Sequence, residues 1–81
     1  MHLYAAFLGG ELKGSRMGED HEVVFVVAED TLAARKAAKA KWGGEGKPHV
    51  DALTRLERID GHAIAVVPEV GADVTEMTGY N

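Results

Sequence analysis

The chain has 81 residues, 13 acidic against 9 basic side chains, a net charge of −4 and no cysteine. A chain of this length makes one domain that buries only roughly 60% of its unfolded surface, so its core is thin and gains from oligomerisation. The acidic balance excludes binding driven by attraction to nucleic acid or to an anionic membrane, and the missing cysteine excludes disulfides and Cys-based zinc sites.

The opening "MHLYAAFLGG" has no basic region before it and is too short for a signal-peptide core or a membrane span, so a cytosolic protein is expected. Residues 2–8, "HLYAAFL", are apolar at both alternating sets of positions and read as an interior strand. Residues 8–14, "LGGELKG", follow it with three glycines. A connection between two strands needs such glycines for positive φ, and a turn is the first reading. The second is an anion site. Backbone N–H groups at Gly9, Gly10 and Gly14 would face the anion, with Lys13 and Arg16 as charged donors and Ser15 as a hydroxyl donor. Neither the Walker spacing nor G-x-G-x-x-G is present.

Residues 21–28, "HEVVFVVA", form an uninterrupted β-branched and aromatic run, which predicts a central strand covered on both faces. A helix is expected over 29–42. Asp30 or Thr31 caps its start, Ala34, Ala37, Ala38 and Trp42 make the stripe toward the sheet, and Gly43-Gly44 ends it. Arg35, Lys36, Lys39 and Lys41 complement the negative end of its dipole and read as a solvated face rather than a nucleic-acid surface.

Residues 45–49 read as a loop. Asp60-Gly61 is a two-residue type I′ turn signal, so 50–59 and 62–67 read as a hairpin pairing Ile59 with His62 and Leu56 with Ala65. Pro68 ends the compact unit, 1–68. Residues 69–81 read as a tail that is mobile or docked on a partner subunit.

As a set, "LGG", "EDHEVVFVVAED", "KAKWGG", "HVDA" and "IDGHAIAV" resemble the bacterial family named domain of unknown function 1543, over about residues 2–67. The resemblance implies a short α+β domain, sometimes present as two copies in one chain, which is consistent with a homodimer here. It supplies no activity and no catalytic residue. The positions that match are Gly9, Gly10, Glu19, His21, Trp42, His49, Asp51, Asp60 and Gly61.

The expected fold is α+β, with a mainly antiparallel sheet of about four strands in ββαββ order and one helix on one face. One helix leaves the other face without a cover, and a second subunit is the simplest candidate. The leading functional expectation is a non-catalytic module, without a cofactor, for an anionic small molecule such as a nucleotide or phosphate compound. Its contacts would be Gly9, Gly10, Lys13, Gly14 and Arg16, with His49 and Asp51 orienting polar groups. The alternatives are a protein-interaction or oligomerisation module and a metal-dependent enzyme built on His21, His49 and Asp51. Neither a nucleic-acid nor a membrane partner is expected.

Overall fold

A computed structural model describes residues 1–11 and 19–69. Among them run β1 (His2–Glu11), β2 (Glu19–Ala28), α1 (Thr31–Ala40), β3 (Glu45–Arg55) and two short strands, β4 (Arg58–Ile59) and β5 (His62–Ala63). The first three strands form one sheet in the order β2-β1-β3, and β4 and β5 form a separate ribbon. The described residues thus form an α+β fold with one helix and a small antiparallel sheet.

Both β2 and β3 pair antiparallel with β1, so they run parallel to each other on either side of it. The path from β2 through α1 to β3 is therefore a crossover that spans the central strand, a split β-α-β unit. That topology lays α1 over one face of the sheet. Ala34 and Ala38 are fully buried there, among Tyr4, Ala6, Leu8, Val26 and Ala28. Alanine is a strong helix former, and its small side chain lets the helix axis come close to the strands. Asp30 caps the helix: its side chain accepts a hydrogen bond from the Ala33 N–H at 2.8 Å.

Trp42, just past the helix, packs against the edge of this core. A Cβ on Gly10 would stand 2.8 Å from Trp42 Cζ2 and 3.4 Å from Pro48 Cα, and a Cβ on Gly44 would overlap the same indole. Gly10 is thus required for close approach, not for a turn. Gly9 and Gly10 both lie inside β1, opposite His21 and Asp20, which corrects the reading of residues 8–14 as a connection that begins at the glycines. Lys13, Gly14, Ser15 and Arg16 lie outside the described residues.

Three more expectations change. β2 is an edge strand; the centre belongs to β1, which reaches β2 by a short connection and β3 through the helix. Residues 45–49 are not a loop but the first half of β3, in which Gly46 takes a φ of 69° where the register with β1 shifts. Such an irregularity accommodates Pro48, which cannot donate to a ladder. The hairpin at Asp60-Gly61 forms with φ values of 51° and 77°, both positive as a type I′ turn requires, and Ile59 pairs with His62 as expected. Its ladder nevertheless stops at Arg58 and Ala63, with one further bond from the Ile64 N–H to the Glu57 carbonyl. The remainder of 50–59 pairs with β1 instead, so the expected four-stranded sheet has three strands plus a ribbon. From residue 70 onward the tail lies outside the described residues.

Candidate functional site

Side chains alternate across a strand, so the residues of β1 divide between two faces. Tyr4, Ala6 and Leu8 meet the helix. Leu3, Ala5, Phe7 and Gly9 belong to the opposite face, which no described element covers. Register builds this face in rows. Val27 stands beside Leu3; Phe25, Ala5 and Thr54 form the next row; Val23, Phe7 and Ala52 form the third. Four large apolar residues remain open to solvent there: Phe7 at 43%, Val23 and Phe25 at 51%, and Val27 at 45% exposure. No charged residue interrupts these rows.

The fourth row carries the polar groups. Gly9 lies between His21 on β2 and His49 on β3. Between Val50 and Ala52 the ladder skips Asp51, an extra residue on β3. His49 Nε2 stands 3.0 Å from Asp51 Oδ1, with both side chains about half exposed. An exposed pair of this kind contributes at most about 1 kcal/mol. A cavity of about 370 Å³ opens beside the row, lined chiefly by Phe7, His21, Val23, Asp51 and Ala52. That volume lies within the range of small-molecule sites, and its wall is mostly apolar.

The structure therefore brings His49 and Asp51 together and sets His21 at the same level across Gly9. Among the described residues, no group of three or more His, Cys, Asp or Glu side chains gathers to hold a metal ion. The amides of Gly9 and Gly10 lie in the plane of a sheet, directed at neighbouring strands rather than converging on one point as an anion nest requires. One row further out, the register sets Glu11 opposite both Glu19 and Glu45. Arg35, Lys36 and Lys39 lie on the exposed surface of α1, as a solvated helix face should.

Two features were not singled out from sequence. Lys41 Nζ donates to the Phe25 carbonyl at 2.6 Å, tying the end of α1 to the outer strand β2. The Gly43 N–H donates to Glu22 Oε1 at 3.2 Å a little further along the same strand. Both contacts depend on where the crossover leaves the helix, for which neither residue carries a local signal.

Among the described residues, no helix is long and apolar enough to cross a membrane. A family model described as Domain of Unknown Function (DUF1543) matches residues 16–66. No curated protein and no solved structure matches the chain.

Proposed function

The chain belongs to the DUF1543 family, whose description assigns no activity, and from that premise we propose that it is a non-catalytic association module whose working surface is the open face of the sheet. The observation that carries this reading is the exposure of Phe7, Val23, Phe25 and Val27 on adjacent strands. Scattered apolar residues on a surface need no explanation, whereas rows of them without a charge mark a contact surface. The covered side is thin: among the described residues, the large side chains that are fully buried are Tyr4 and Leu8. We place its action in the cytosol, a setting that suits a chain without cysteine.

Sedimentation equilibrium of the full chain tests the reading. The expected result is a mass that rises above 8.7 kDa with concentration and returns to that of one chain in a Phe25→Glu variant that keeps its circular dichroism. A single-chain mass at every concentration up to hundreds of micromolar would remove self-association.

A second reading, an anionic small molecule, has one observation in its favour. The cavity beside His21 lies at the end of the sheet from which the β1–β2 connection leaves, and that connection carries Lys13, Gly14 and Arg16. Glu11, Glu19 and Glu45 occupy opposed register positions at the same end of the sheet, and the negative charge they add to that end weighs against it. Calorimetric titration with inorganic phosphate and with a nucleoside triphosphate decides it. Binding that Lys13→Ala with Arg16→Ala weakens by tenfold, roughly 1.4 kcal/mol, supports the site; equal affinity in both proteins removes it.

A further inference from the structure

We infer that the cavity at the polar end of the open face binds a small organic cation, an amine carried on a flat apolar body, with Asp51 as its counter-charge. The site occupies the third and fourth rows and is independent of the association proposed above.

The irregularity of β3 at Asp51 builds the site. In an unbroken strand, neighbouring residues point to opposite faces. Here Val50 stands opposite Leu8 and packs on the core beneath the helix, whereas Ala52 stands opposite Phe7 on the open side, with Asp51 left over between them. The extra residue resets the alternation, so Asp51 and Ala52 line one cavity although they are adjacent in sequence. A regular strand could not present both a carboxylate and the next apolar side chain to one ligand. Bulges recur beside functional sites because they re-aim a side chain in this way.

The walls fix the chemistry of the ligand. Phe7, Val23 and Ala52 supply the apolar part, and about 370 Å³ is large enough for an aromatic ring with a short side chain. Charge sets the other end. Asp51 and Glu22 are the acidic groups among the described lining residues, and neither a lysine nor an arginine joins them. The Glu22 carboxylate is engaged by the Gly43 N–H. Asp51 meets His49 through Oδ1 at 3.0 Å and keeps 44% of its side chain exposed, which leaves its second oxygen able to accept from a ligand. An ammonium there gains a charge-assisted hydrogen bond, and the exposed ring of Phe7 in the same cavity favours a cation as well. An anion would meet the Asp51 carboxylate as a like charge.

Ligand-observed saturation-transfer NMR with dilute protein tests the site. Phenethylamine and phenylpropionate are the probes, because they share a ring and differ in the sign of their charge. The expected result is saturable binding of phenethylamine, at least about tenfold tighter than that of phenylpropionate. Asp51→Asn, an isosteric change at an exposed position, should weaken phenethylamine by about tenfold at unchanged circular dichroism, the loss of one charge-assisted contact. Equal affinity for the two probes overturns the site, as does an Asp51→Asn protein that holds phenethylamine as tightly as the parent, or the lack of any phenethylamine binding. A preference for phenylpropionate overturns it in favour of the anionic ligand.

Discussion

Gly10 and Trp42 show how much one pair of residues fixes. The indole lies where any side chain on Gly10 would stand, with Gly44 and Pro48 completing its surroundings. Gly10→Ala must therefore move a large, rigid ring that already packs on the core. Overpacking of this kind costs about 1–3 kcal/mol, to be read as a lower urea midpoint at unchanged slope. In a Trp42→Leu background the same added methyl should be nearly neutral, and an equal loss in both backgrounds would show that the ring is not the cause. The pair also explains a misreading. Glycine serves turns and close approaches alike, and only the distant partner tells them apart. Asp60-Gly61 was legible because its requirement, positive φ at both positions, is local.

At the scale of elements, α1 was legible and β2 only half so. An alanine stripe ending in tryptophan has a helical period whatever it packs on, and the cap at Asp30 depends on residues three apart. The run Val23–Val27 announces a strand, yet it looks the same whether both faces are covered by one molecule or one face awaits a second. Its edge position comes from the crossover, which carries the chain over β1 to that strand's other side. Residues 45–49 were misread for a related reason. Gly46 and Pro48 usually interrupt a strand, but here they sit at a shift in register with β1, a strand remote in sequence. Of the site, the His49–Asp51 pair was visible in the spacing of β3, and the bareness of the second face followed from counting one helix. The hydrogen bond from Lys41 was not visible, since its acceptor is the backbone of another element.

At the scale of the whole molecule, the proposed association would be linked to folding. The helix α1 covers one side of the sheet, and no described element covers the other. Whatever binds only the folded state stabilises it by mass action. If the second copy supplies the missing cover, the thermal midpoint must rise with protein concentration. Each tenfold increase adds about 0.7 kcal/mol per chain once the dimer dominates, or roughly 3–5 °C for a domain of this size. A midpoint that stays constant over a hundredfold range would mean that the face contributes nothing to stability.

Trp42 has a consequence for how the two processes can be watched. It is the sole tryptophan, and it is wedged against Gly10 of β1 and Pro48 of β3 immediately after the helix. Its emission therefore responds when any of those elements loosens. It sits on the helix side of the sheet, away from Phe7, Phe25 and the valines of the open face. Burying that face should leave the spectrum of the indole unchanged. The protein thus carries an intrinsic fluorophore that reports folding and would be blind to a partner on the open face.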